Sequence, residues 1–152
     1  MTTLNRSKSH LQDSLAFFAH AQHLYALLED RVGFLQSVVG VCRGYAALNQ
    51  WSEVLQSFAV LSTSPITRDL EAGDFLALSL ADFYAGMAHF ALRAYMDSIV
   101  LLESAAQVLS STDASLAALA HQNAAVAFHH LSAFDLALPH HRQALEFFSF
   151  CW

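Results

Sequence analysis

Nine histidines are the first side chains in this sequence that could do chemistry. His129-His130 and His140-His141 are adjacent pairs, and His121 precedes them. Two metal ligands on one helix usually stand four residues apart, so that both face one way. Neighbours such as His129 and His130 point about 100° apart, and both cannot easily bind one ion. A helical hairpin could still bring His130 near His140 or His141. The expectation is solvated or partner-facing imidazoles that titrate near neutral pH, with no metal and no cofactor.

Other chemistry-bearing groups are sparser. Glu29-Asp30 and Asp69-Glu71 fall at helix ends or in loops, where N-capping and solvation explain carboxylates. No Ser-His-Asp pattern with a nucleophile elbow occurs, nor any Gly-rich phosphate loop. Cys42 occupies a small-residue packing position, which suits a buried thiol better than a nucleophile. No catalytic residue is expected, and the chain is not expected to be an enzyme.

The elements that carry these residues follow from composition. Hydrophobic residues make up 55% of the 152 and charged residues only 13%, against the usual ~45–50% and ~25%. Such a chain can bury a core and still expose apolar surface. Pro and Gly number 2 and 5, too few for strands joined by tight turns. Ala and Leu, both strong helix formers, dominate long stretches. An all-α protein is expected.

The formal net charge is -6 and the seven basic residues do not cluster. Phosphate recognition needs a basic patch, so no nucleic-acid partner is expected. Cys42 and Cys151 form no CxxC pair, which fits a reducing compartment. Residues 1–10 are polar and carry no secretory signal. They are expected to be disordered. The apolar stretch Phe75 to Leu102 is interrupted by Asp82, His89, Arg93 and Asp97. No run reaches the ~18–20 residues of a membrane span, and a cytoplasmic location is expected.

Apolar residues recur at helical spacing almost throughout. Leu11, Leu15, Phe18, Gln22 and Tyr25 trace one stripe before Asp30-Arg31-Val32-Gly33 breaks the pattern. Further helices are expected over about 34–48, 51–61, 75–91, 95–109, 114–131 and 134–148. Residues 62–74 read as a loop with one helical turn. Ser110-Ser111-Thr112-Asp113 suits an N-cap. Pro139, about five residues into the last helix, predicts a kink or a late helix start.

Three segments superimpose within this pattern. Each has a small residue in its first helix: Cys42, Gly86, Ala125. Nine residues later an aromatic stands just past the corner: Trp51, Tyr95, Phe134. Three further comes Val54, Ser98 or Ala137, and seven beyond that Leu61, Ala105 or Ala144. Small residues let the two helices of a hairpin approach closely, and the aromatic fills the gap at the corner.

This arrangement resembles the tetratricopeptide repeat, in a longer variety of about 40 residues rather than ~34. Cys42, Gly86 and Ala125 stand 44 and 39 residues apart. Ala124-Ala125, Phe128, Phe134, Ala137 and Ala144 match the family pattern best, while Val54 and Leu61 depart from it. The likeness covers roughly residues 11–148. It implies an α-α superhelix of about three hairpins plus an N-terminal half-repeat, in a single repeat domain over 11–152.

In such arrays the first helix of each hairpin lines a concave groove. The resemblance places Gln36, Val39, Gly40, Arg43, Ala46 and Ala47 there in the first unit. In the second it places Leu80, Phe83, Tyr84, Met87, Phe90 and Ala91. In the third it places Leu119, Gln122, Asn123, Val126, His129 and His130. The aromatic end, with Phe147, Phe148, Phe150 and Trp152, is expected to dock onto a partner or a second copy. The implied function is a scaffold or adaptor that holds a partner peptide or helix. A small secretion chaperone of the same repeat type is the alternative. A His-dependent metalloprotein or hydrolase is the alternative from another class.

Overall fold

The computed structural model describes residues 3–150, with side-chain surroundings from Ser7 to Ser149. Seven α-helices follow one another: α1 (Thr3–Leu27), α2 (Arg31–Ala47), α3 (Trp51–Thr63), α4 (Phe75–Ala91), α5 (Tyr95–Thr112), α6 (Ala114–His130) and α7 (Phe134–Phe150). Two 3-10 turns, Pro65–Thr67 and Ala72–Asp74, lie between α3 and α4. The described residues include no strand, so the protein is all-α. The first helix begins at Thr3, eight residues ahead of the apolar stripe that starts at Leu11.

Four corners share one geometry. Glu29, Asn49, Arg93 and Ser132 have φ of 54°, 57°, 64° and 59°. The next residue's N–H then reaches back five positions: Asp30 to Tyr25, Gln50 to Tyr45, Ala94 to His89, and Ala133 to Phe128. This is the Schellman closure, which satisfies carbonyls that the helix end would orphan. None of the four is glycine, though the left-handed conformation costs an ordinary residue about 1 kcal/mol.

Two helix starts are set by carboxylates. Asp30 Oδ1 accepts the Gly33 N–H at 3.0 Å, and Asp113 Oδ1 accepts the Leu116 N–H at 3.1 Å. The cap at Asp30 starts α2 at Arg31, three residues before the apolar pattern resumes at Phe34. Asp113→Ala is expected to lower stability by about 1 kcal/mol. Thermal unfolding measures this, and an unchanged midpoint would mean the cap is idle.

The chain divides into two compact units, Met1–Ala77 and Leu78–Trp152. In the first, α1 lies across α2, with Leu15, Phe18 and Tyr25 over Gly44, Gly40 and Gly33. A Cβ at Gly40 would sit 2.5 Å from the Phe18 ring, so this approach needs a residue without one. On the other side of α2, Cys42 and Val54 are fully buried, and Cys42 Sγ lies 3.8 Å from the Val54 carbonyl.

Arg31 ties down the segment after α3. Its Nη1 donates to the Asp69 carbonyl at 2.7 Å, and its Nη2 lies 3.1 Å from Glu71 Oε2. Its Nε stands 2.7 Å from Asp74 Oδ2 as an ion-pair contact without hydrogen-bond alignment. Buried Asp74 also accepts the Glu71 N–H at 2.7 Å, closing a reciprocal cap on the second 3-10 turn. The Glu71 carboxylate therefore fastens a loop, beyond the capping and solvation that explain it in the sequence, while Asp69 takes part through its main-chain carbonyl.

In the second unit Phe83, Leu102, Ala105, Ala106, Leu109 and alanines of α6 form one cluster. Gly86 lies under Leu102, where a Cβ would come within 2.8 Å of Leu102 Cγ. Ser98 Oγ donates to the Gly86 carbonyl at 2.8 Å. The buried positions of α6 are all alanine: Ala117, Ala118, Ala120, Ala124, Ala125 and Ala127. Small side chains let α5 and α7 press close to both sides of this helix. Pro139 neither delays nor ends α7, which runs from Phe134 through it. Near the start of a helix a proline removes a single backbone bond, and Pro139 is exposed.

Candidate functional site

The small-residue pairs define the register of each hairpin. Cys42 faces Val54, Gly86 faces Ser98, and Ala125 with Ala137 are fully buried at the same 12-residue separation. One turn outward from Ala125 and Ala137, the α6–α7 register places His121 opposite His140. Their Nδ1 atoms are 3.0 Å apart. His140 Nε2 lies 3.0 Å from Glu103 Oε1 on α5. Phe147 stacks on His121, and Phe128 stacks on His140. Burial, reinforced by His140, pushes the His121 pKa below its ordinary value, while Glu103 pulls it up.

For His130, which a hairpin could bring to His140 or His141, the structure shows aromatic partners. It stacks flat on Tyr95, with ring centroids 4.5 Å apart and planes at 4°, and Phe90 meets both rings edge-on. His129 contacts Phe134 and His141 instead. Among the described residues no group of three His, Cys, Asp or Glu could hold a metal ion. The Cys42 thiol is pushed up to about 12 by burial, which keeps it protonated and inert.

The groove residues expected from the sequence divide three ways. Gln36, Arg43, Gln122, His129 and His130 are exposed. Tyr84, Met87 and Phe90 are half-buried, with Tyr84 and Met87 packed against the core cluster. Asn123 Nδ2 donates to the Leu119 carbonyl of its own helix. Phe83 is a correction: at 5% exposure it belongs to the core, edge-on to Tyr84. Gly40 is a second, because Phe18 of α1 covers it. Arg43 borders a cleft of about 320 Å³ lined by Leu11, Ser14, Leu15, Phe18, Gly40, Gly44 and Ala47.

At the chain's end, Phe147 packs against the core and Phe148 is half-buried. The side chain of Phe150, and Trp152 altogether, lie outside the described residues. Exposed apolar side chains occur elsewhere on α7, as they do on other helices, Phe17 of α1 and Met96 of α5 among them. Phe134, Leu138 and Leu145 are 59%, 52% and 69% exposed. With His141 they fall within about 60° of arc at 100° per residue. Their spacing of four, three and four is that of a coiled-coil seam.

No protein-family model matches this chain, and no curated protein is significantly similar to it.

The α7 seam is the feature that sequence reasoning missed. Its signal was present as the 4-3-4 spacing from Phe134, obscured by the denser aromatics from Phe147 onward. No helix among the described residues is long and apolar enough to cross a membrane.

Proposed function

We propose that this chain is a protein-interaction scaffold of the tetratricopeptide-like kind, and that α7 presents its main docking seam to a partner helix. The exposed stripe of Phe134, Leu138 and Leu145 carries this reading. Three large apolar side chains on one narrow arc would be covered by a helix with a matching seam. His141, inside the arc, adds a polar group that can fix register. The shared corners and the small-residue pairs support the repeat resemblance, since each hairpin reuses one packing solution. Arg43 and its apolar cleft supply a smaller second contact in the first unit.

The test is a pair of surface substitutions. Leu138→Glu and Leu145→Glu touch exposed positions, so helical circular dichroism and melting temperature should barely move. Partner capture and crosslinks from α7 to the partner should fall at least tenfold, because each charge must be desolvated at the seam. Undiminished capture by the double variant would remove α7 from the binding surface. Tyr84 and Met87 are poorer choices, because they support the core.

A further inference from the structure

The Glu103–His140–His121 chain has a property that its packing role does not require. A carboxylate only accepts, so His140 Nε2–H donates to Glu103. The two Nδ1 atoms facing each other at 3.0 Å can then hold one hydrogen between them and no more. With both rings neutral, His121 Nδ1–H donates to His140. With one added proton, His140 becomes an imidazolium that donates to Glu103 on one side and to His121 on the other. With two, Nδ1–H meets Nδ1–H, and two positive charges stand in contact.

We propose that this histidine pair is an acid-sensitive latch, which admits one proton while α7 is docked and admits the second only when α7 parts from α5 and α6. The three helices meet here through few charges. Glu103 comes from α5 and His140 from α7. The neighbouring Ser104 donates to Asp82 of α4 at 3.0 Å, and burial pushes that carboxyl up toward its neutral form. Arg142 and Glu146 of α7 are exposed to solvent. Phe147 stacks on His121 and Phe128 on His140, so each imidazole has an aromatic ring against one face and stays partly exposed.

The sign follows from linkage. The lowered His121 value means that the open form binds the second proton at a higher pH than the docked form. Stability of the docked form is complete above about pH 6.5, the ordinary imidazole value, and is lost as pH falls below it. With one extra proton in the open form, opening becomes up to tenfold more frequent per pH unit.

Amide hydrogen exchange of α7 in the full chain, corrected for intrinsic rates, reads this directly. Between pH 7 and pH 5, α7 opening should rise by at least tenfold, while α2 and α3 stay within threefold. In His121→Gln the rise should vanish, because an amide can bond His140 but takes no proton. A side chain with a purely structural role would raise opening at every pH and leave the slope intact. A pH-independent wild type, or an unchanged slope in His121→Gln, overturns the latch. Should that variant not fold, the wild-type imidazole resonances decide. While α7 stays docked the pair should take up one proton, and uptake of two with α7 still docked overturns it.

Discussion

Leu102→Ala is expected to lower the unfolding free energy by about 2–5 kcal/mol, the range for truncating a fully buried leucine. Gly86→Ala should cost about 1 kcal/mol, because overpacking against Leu102 outweighs the gain in helix propensity. The double variant should cost less than the two singles together. Truncating Leu102 vacates the volume that the new methyl group needs, so contacting residues couple rather than add. Urea unfolding of the four proteins closes the cycle. Strict additivity would mean that Gly86 and Leu102 do not touch, and that small-residue nesting is not what joins α4 to α5.

The second large effect is expected in the other unit. Gly40→Leu should lift α1 from α2, since even a Cβ would sit 2.5 Å from the Phe18 ring. The cost should reach about 3 kcal/mol, the upper end for overpacking. Exchange protection over residues 11–27 should collapse while α3 keeps its own. Adding Phe18→Ala should recover part of the protection by making room. Intact protection of α1 in Gly40→Leu would show that α1 is held by something other than this seat.

The periodicity located most helices because their ends coincide with chemistry that acts locally. Asn49, Arg93 and Ser132 close three corners where the apolar stripes stop, and α3 through α7 all begin at their expected residues. The start of α2 was less legible, because the Asp30 carboxylate recruits Arg31 and Val32 before the apolar stripe begins. Arg31 itself reads only as part of the segment that breaks the apolar pattern. Its role depends on Asp69, Glu71 and Asp74, some forty residues away, which only folding brings to it. The contact of His121 with His140 was within reach. The 12-residue register of Ala125 and Ala137, extended by one turn, leads to it, whereas adjacency in the sequence pointed to His130. Tyr84, Met87 and Phe83 illustrate the converse. Periodicity shows which residues share a face, and cannot show whether another helix covers that face.

The four left-handed corners carry a further consequence. Their path is closed by main-chain bonds, with Glu, Asn, Arg and Ser at the left-handed position. Side-chain identity at each bend is thereby uncoupled from the route of the polypeptide. The protein can be recoloured at its bends, in charge or polarity, without being rerouted, so new recognition features can be grafted there while the helices keep their places.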